Sequence, residues 1–133
     1  MKKILFVCVE NSSRSQMAEA FARMHGQGRV EAFSAGSRPS GKVNPKAIAA
    51  MKEREYDLSL HASKSLDQIP SHRFDFVITM GCGDACPHVP AVHREDWEIP
   101  DPRDMNLEEF RKVRDSIESK VLDLLDRVRT PSS

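Results

Sequence analysis

The sequence lacks several features that mark specialised protein classes. Its 20 Lys and Arg residues balance 20 Asp and Glu residues, so the formal net charge is zero. Without a basic field, no long-range attraction holds a nucleic-acid backbone or an anionic membrane. The longest apolar runs, residues 4–8 and 74–80, are far shorter than the ~20 residues that cross a bilayer. We therefore expect neither nucleic-acid binding nor membrane insertion.

A secretory signal is also missing, because the basic start at Lys2 and Lys3 leads into no sustained apolar stretch or small-residue cleavage site. A cytoplasmic location is the resulting expectation. The chain has three cysteines, an odd and small number that argues against a disulfide framework and favours thiol chemistry, with inert buried cysteines as the alternative. The length of 133 residues leaves room for one domain of ~100–200 residues, and we expect a monomer.

Apolar runs and helical periodicities alternate along the chain. The predicted strands cover residues 3–8, 30–35, 74–80 and 96–99, and the predicted helices cover residues 15–25, 45–54, 65–69 and 107–128. Asn44 and Asn106 are typical N-caps, and Gly26 is predicted to end the first helix in a left-handed conformation. This order predicts an α/β domain with a parallel sheet and ligand binding beyond the carboxyl ends of the strands.

The segment after the first strand carries the clearest chemistry. Cys8 ends the strand, and Arg14 follows across a strand-to-helix turn. A loop that winds into a helix start turns its N–H groups inward and forms an anion site, which the helix dipole strengthens. The same field favours a thiolate, so Cys8 is the predicted nucleophile and Arg14 a planar clamp for two oxygens. The predicted oxyanion-binding residues are Val9, Glu10, Asn11, Ser12, Ser13, Arg14 and Ser15. The alternative is that Cys8 is a buried strand cysteine and that its spacing from Arg14 arises by chance.

The Cys8-x5-Arg14-Ser15 pattern, with Asn11 inside the loop and residues 16–20 after it, resembles the low-molecular-weight protein tyrosine phosphatase superfamily. More narrowly, it is similar to the arsenate reductases of that superfamily. The similarity continues through residues 34–36, 43–48, 86–87, 96–97, 101–102 and 111–115. The resemblance implies a four-stranded parallel sheet flanked by helices, with Cys8 as nucleophile, Arg14 and the loop amides as oxyanion binders, and Asp101 as general acid.

Asp101 is plausible on its own terms, because it follows the fourth predicted strand and is held by Pro100 and Pro102. The alternative interpretation is that Asp101 is only a turn residue before a proline, which is common. The loop alone cannot choose between arsenate and phosphate esters, which share a tetrahedral shape. In phosphatases that act on phosphotyrosine, aromatic residues typically follow this Asp-Pro pair, whereas Arg103 and Asp104 follow it here. An aryl ester is therefore disfavoured as the substrate.

Reduction consumes two electrons from thiols, and Cys82 and Cys86 lie in the loop after the third predicted strand. In the thioredoxin-coupled reductases that the chain resembles, two further cysteines complete a relay of thiolate displacements. Residues 80–87 are more similar to the arsenate–mycothiol transferases, in which an external thiol attacks the adduct. Inert loop cysteines remain an alternative. A metal site with His88 and His93 is another, although its spacing matches no common zinc signature.

The leading hypothesis is an arsenate reductase that binds no cofactor or metal and uses thioredoxin, or mycothiol with mycoredoxin, as its external thiol reductant. A phosphatase with a phosphocysteine intermediate and a non-catalytic oxyanion-binding module are the alternatives. By analogy with relatives, Glu19 and Ser34 brace the loop. Some relatives hold potassium in that region, but here Lys64 stands near the position where an acidic potassium ligand would be expected, which argues against potassium dependence. His25, His61 and His72 are expected to be surface or structural residues.

Overall fold

The computed structural model describes residues 2–69, 73–81 and 89–129. Its strands are β1 (Lys2–Cys8), β2 (Val30–Gly36), β3 (Phe74–Thr79) and β4 (Ala91–Asp96), and its helices are α1 (Arg14–His25), α2 (Pro45–Lys52) and α3 (Leu107–Arg129). Short 3-10 helices span Leu58–Leu60 and Leu66–Gln68. The sheet order is β2-β1-β3-β4, and all three pairings are parallel. The predicted α/β architecture with a four-stranded parallel sheet is therefore confirmed.

β1 is the central strand and is buried on both faces, as its continuous apolar run predicts. Ile4 and Phe6 pack into the larger core cluster with α1 and α3, whereas Leu5 and Val7 belong to the smaller cluster on the opposite face. All four side chains are at most 1% exposed. Full burial of such side chains is worth roughly 1.5–3 kcal/mol each, so β1 anchors the segment that follows Cys8.

The predicted helix starts are confirmed by their hydrogen bonds. The side chain of Asn44 accepts from the Lys46 amide at 2.8 Å, and that of Asn106 accepts from the Glu109 amide at 2.8 Å. The prediction that Gly26 ends α1 in a left-handed conformation is wrong, because the φ of Gly26 is −107°. A glycine is needed there for space, since a Cβ would lie 2.6 Å from a Val30 methyl group.

The prediction of the fourth strand over residues 96–99 is wrong, because the strand covers residues 91–96. β4 is an edge strand with mostly exposed side chains, so it has no apolar run to mark it. Trp97 and Ile99 are buried because the chain crosses the core after the strand ends. The other element ends differ less: α2 ends at Lys52, and the helix predicted over 65–69 is a 3-10 helix, Leu66–Gln68.

The parallel register brings all four carboxyl ends to one edge of the sheet. Cys8 pairs with Gly36, Val7 with Thr79, and Thr79 with Asp96. The loop after β1 and the segment after β4 therefore meet, although about ninety positions separate them. Within the described ranges, no helix combines the length and the apolar character needed to span a membrane.

Candidate active site

The loop between β1 and α1, residues 8–14, is called the anion loop below. Its carbonyl groups accept hydrogen bonds from the neighbouring segment 37–44: Cys8 from Ser37 (3.1 Å), Val9 from Arg38 (2.8 Å), Glu10 from Ser40 (3.0 Å) and Ser12 from Asn44 (2.9 Å). In a trans peptide the C=O and the following N–H point in opposite directions. The outward carbonyls therefore turn the amides of Val9, Glu10, Asn11 and Ser13 inward.

Asn11 shapes the loop from within. It is fully buried and adopts a left-handed φ of 51°, a conformation that costs roughly 1–3 kcal/mol for a residue other than glycine. Its side-chain oxygen accepts from the Lys64 amide (2.9 Å) and from Nε2 of Gln16 (2.9 Å), while its Nδ2 donates to Oγ of Ser15 (2.7 Å). These three bonds offset the backbone strain and hold the turn.

Cys8 lies at the floor of the loop and is 2% exposed. Its Sγ is 2.9 Å from Oγ of Ser15. Because Asn11 already donates to that oxygen, the hydroxyl proton of Ser15 is free to point at the sulfur. A donor in this position stabilises negative charge on the sulfur, which suits a nucleophilic thiolate.

Arg14 begins α1 and is almost completely buried. Its Nη1 donates to the carbonyl of Ile99 at 3.0 Å, and its Nη2 lies 3.7 Å from Oδ2 of Asp101. The guanidinium is therefore fixed over the loop by the segment after β4. The planar fork presents its remaining donors as a preorganised clamp for two anion oxygens.

Two glycines at the sheet edge make room for this arrangement. A Cβ on Gly36 would lie 2.6 Å from the Val9 carbonyl oxygen and 3.0 Å from the Asn11 amide nitrogen. A Cβ on Gly81, whose φ is +78°, would lie 2.2 Å from Nη1 of Arg14. Sequence reasoning missed the role of Gly81; its only signal was a glycine directly after a buried strand.

The anion loop forms one side of a small open pocket, the anion pocket, which is lined by Cys8, Glu10, Ser12, Ser13, Arg14 and Asp101. The N-terminus of α1 opens into it. Within the described residues, the N-cap Ser13 makes no side-chain capping bond and the first turn of α1 carries no carboxylate. The positive end of the helix dipole is thus left for an anion.

Asp101 reaches the anion pocket, as the resemblance implies, and its side chain is 47% exposed. Its Oδ1 accepts from the Arg103 amide at 3.0 Å. The role of Asp101 as general acid stays a prediction. The predicted cysteines Cys82 and Cys86, together with His72 and His88, lie outside the described residues. Among the residues that are described, no three His, Cys, Asp or Glu side chains are grouped as metal ligands.

His61 and Tyr56 support the loop from behind, a role that the sequence did not indicate. Nδ1 of His61 is 2.8 Å from Oε1 of Gln16, and Nε2 is 2.7 Å from the hydroxyl of Tyr56. Nε2 of Gln16 donates to Asn11, so the Oε1 that faces His61 is the acceptor of the Gln16 amide. Nδ1 of His61 therefore carries the proton of this hydrogen bond. Burial lowers the pKa of His61 below its usual value, which favours this neutral form.

A charge cluster centred on the buried Glu19 links α1 to β2. Oγ of Ser34 donates to Oε1 of Glu19 at 2.5 Å. Nζ of Lys64 lies 3.6 Å from that oxygen, and Arg23 pairs with Glu19 at 2.7 Å. Since a fixed ammonium group already faces Glu19, the cluster does not fit a potassium ion. The backbone of Lys64 links the cluster to Asn11.

Comparisons with known proteins agree with this geometry. A family model described as low molecular weight phosphotyrosine protein phosphatase matches residues 3–132. The glutaredoxin arsenate reductase of Synechocystis sp. is 39% identical over 131 residues, 96% of this chain and 99% of that protein. A solved arsenate reductase in the phosphate-binding state superposes with a TM-score of 0.85 at 38% identity, covering 96% of this chain and 99% of the other.

A thioredoxin-dependent arsenate reductase from Corynebacterium glutamicum also superposes, with a TM-score of 0.80 at 32% identity; the match covers 97% of this chain and 62% of that one. The family match spans nearly the whole chain, and the first relative is matched over nearly its full length. This chain belongs to the low molecular weight phosphotyrosine protein phosphatase family.

Proposed function

We propose that this protein is an arsenate reductase. The observation that carries the proposal is the anion pocket itself, a small cavity with a thiol at its floor, an arginine fork at its side and a carboxyl group at its mouth. The pocket suits a free tetrahedral oxyanion. Similarity to arsenate reductases at 38% and 39% identity over nearly the whole chain supports arsenate as that anion.

In the first step the thiolate of Cys8 attacks the arsenic atom and forms an S–As bond. The As–OH bond of hydrogen arsenate breaks, and the hydroxyl oxygen leaves as water after taking a second proton from Asp101. Arg14 and the inward loop amides bind the remaining oxygens, whose charge they stabilise throughout the step. Arsenic is still in the +5 state after this step.

The second step is the reduction. A second thiolate attacks the sulfur of Cys8, an S–S bond forms, and the S–As electron pair passes to arsenic, which leaves as arsenite in the +3 state. The two thiol sulfurs supply the two electrons. We propose Cys82, Cys86 or an external thiol as the second nucleophile, and a thiol reductant restores the resulting disulfide.

Relatives that are named for glutaredoxin and for thioredoxin support a thiol reductant in general. Thioredoxin, or mycothiol with mycoredoxin, is the finer proposal for this chain. Such reductants keep thiols reduced in the cytoplasm, which is where we propose that the protein acts, as a monomer.

The test measures arsenate-dependent NADPH oxidation with the purified protein and three complete reductant systems: thioredoxin, glutathione with glutaredoxin, and mycothiol with mycoredoxin. We expect turnover with at least one system, and a loss of ~10³-fold or more in Cys8→Ser, as for other missing nucleophiles. Hydrolysis of p-nitrophenyl phosphate is the parallel assay. Ester hydrolysis without arsenate turnover in any system would favour the phosphatase alternative.

Two further variants assign the second thiol. If Cys82→Ser and Cys86→Ser both keep wild-type rates with mycothiol, the external thiol releases arsenite. A loss in one variant alone identifies that cysteine as the attacking thiol. If the protein binds phosphate but turns over neither arsenate nor ester, the non-catalytic module is the better description.

A further inference from the structure

An ion pair that the proposed chemistry does not use lies at the less buried side of the anion pocket, its mouth, which is lined by Glu10, Ser12 and Asp101. Nη1 of Arg103 donates to Oε2 of Glu10 at 3.0 Å. Glu10 belongs to the anion loop and lines the pocket, whereas Arg103 follows Asp101 in the segment after β4. The pair therefore joins the loop that carries the nucleophile to the segment that carries the proposed acid.

A carboxylate at this position is unfavourable for anion binding on its own. Glu10 lies at the rim of a pocket built for negative charge, where it repels an incoming dianion, and Arg103 compensates that charge. The two side chains are 35% and 59% exposed, so the pair adds only ~0–1 kcal/mol to folding. Folding stability therefore does not explain why the two charges are paired across the mouth.

Arg103 is held in place at both ends. Its backbone N–H donates to Oδ1 of Asp101 at 3.0 Å, and its guanidinium reaches Glu10 on the opposite rim. Among the described residues that line the pocket, Cys8, Ser13 and Arg14 are buried, whereas Glu10, Ser12 and Asp101 are not. The organic group of a bound monoester would therefore leave on the side of Glu10, Ser12 and Asp101, where the ion pair lies. A free oxyanion has no such group.

We propose that the Glu10–Arg103 ion pair is a specificity determinant, which closes the anion pocket to organic phosphate monoesters and admits free tetrahedral oxyanions. The proposal rests on the proposed function, since it explains how this site selects an inorganic substrate.

The test measures binding and does not depend on turnover. In the Cys8→Ser background, calorimetry gives the dissociation constants of inorganic phosphate and of phenyl phosphate, and their ratio is compared among variants. Arg103→Ala leaves the charge of Glu10 unpaired, but that charge repels both dianions, so the ratio isolates the effect of the open mouth. We expect Arg103→Ala and the double variant Glu10→Ala/Arg103→Ala to raise the relative affinity for phenyl phosphate roughly 10-fold.

Arg111→Ala is the matched control, because Arg111 pairs with Glu53 at 2.8 Å with similar exposure and does not line the pocket. Its ratio should equal that of the parent. Arg103→Lys, which can still reach Glu10, should largely restore the parent ratio. A ratio that stays within about two-fold of the parent in both Arg103→Ala and the double variant overturns the proposal. Arsenate turnover, measured separately on the chain with Cys8 intact, decides the proposed function, so the two failures are distinguishable.

Discussion

The two sides of the anion pocket are built in opposite ways. On one side, Asn11, Arg14 and Ser15 of the anion loop and the first turn of α1 are at most 6% exposed, and each side chain has hydrogen-bond partners. On the other side, Asp101 and Arg103 are about half exposed. Folding therefore preorganises the proposed nucleophile and oxyanion donors, whereas the segment that carries the proposed acid depends less on burial.

This difference predicts two kinds of variant. Changes in the anion loop alter stability and activity together, because its strained backbone and buried polar groups depend on one another. Changes in the segment 97–106 at exposed positions alter activity alone, since surface substitutions away from special features usually stay within ±0.5 kcal/mol. The predictions below test that separation.

The largest effect is expected for Asp101→Asn, which keeps the shape of the side chain and removes its transferable proton. Arsenate reduction should fall ~10²–10⁴-fold, the usual range for general acid catalysis, while the free energy of unfolding changes by less than ~0.5 kcal/mol. Steady-state kinetics and urea unfolding measure the two quantities. Asp104→Asn, an exposed neighbour, is the control. Equal activity in both variants would remove Asp101 from the mechanism.

Gly81→Ala tests the side of the pocket that Arg14 forms. The added methyl group would lie 2.2 Å from Nη1 of Arg14, so the guanidinium must move. A displacement of about 1 Å can cost ~10²-fold in rate, and we expect a loss of that order. Gly28→Ala is the control, because Gly28 also has a positive φ (+81°) but nothing within 4 Å of its added Cβ. Similar losses in both variants would show that backbone strain, and not Arg14, is responsible.

Asn11→Ala should lower stability and activity together. The variant leaves the Lys64 amide without its acceptor and removes the Asn11 donor from the Ser15 oxygen, a cost of ~1–3 kcal/mol. The proton of Ser15 also loses its fixed direction toward Cys8, so arsenate reduction falls. Asn44→Ala, which removes the cap of α2, should cost ~1 kcal/mol without this loss of rate. Unchanged activity in Asn11→Ala would contradict a preorganised loop.

The sequence predicted the parts of the site that depend on neighbouring residues. The Cys8–Arg14 loop, the caps at Asn44 and Asn106 and the central strand β1 are local patterns, and their positions agree with the structure. The sequence does not mark the edge strand β4, because its side chains are mostly exposed and show no apolar alternation.

Contacts between distant segments could not be predicted in the same way. Gly81 beside Arg14 and Arg103 beside Glu10 depend on the order and register of the strands, which bring loops from separate strands to one edge. The same holds for the support that His61 gives to Gln16. Each of these contacts couples a residue of the first strand-to-helix turn, or of α1, to one more than forty positions away.

The smallest expected effect is on the pH dependence of the unfolding free energy, through His61, which supports Gln16 behind the anion loop. Burial lowers the pKa of His61 in the folded protein below its ordinary value of 6.5, so the unfolded chain binds more protons in this range. The stabilisation is complete above about pH 6.5 and is lost as the pH falls toward the folded pKa. His61→Gln should therefore show a flatter dependence of the unfolding free energy on pH between about 5 and 7, measured by urea unfolding. His93→Gln, at an exposed position, is the control.

Tyr56→Phe removes only the hydrogen bond to Nε2 of His61 and should cost ~0.5–1.5 kcal/mol, with most of the dependence on pH retained. If the unfolding free energy of His61→Gln depends on pH as steeply as that of the wild type, His61 becomes protonated in the folded protein without a loss of stability. Nδ1 would still donate to Gln16 in that case, so the rigidity of the anion loop would not depend on a neutral histidine. A flatter slope would instead extend the rigid side of the pocket from Asn11 through Gln16 to His61.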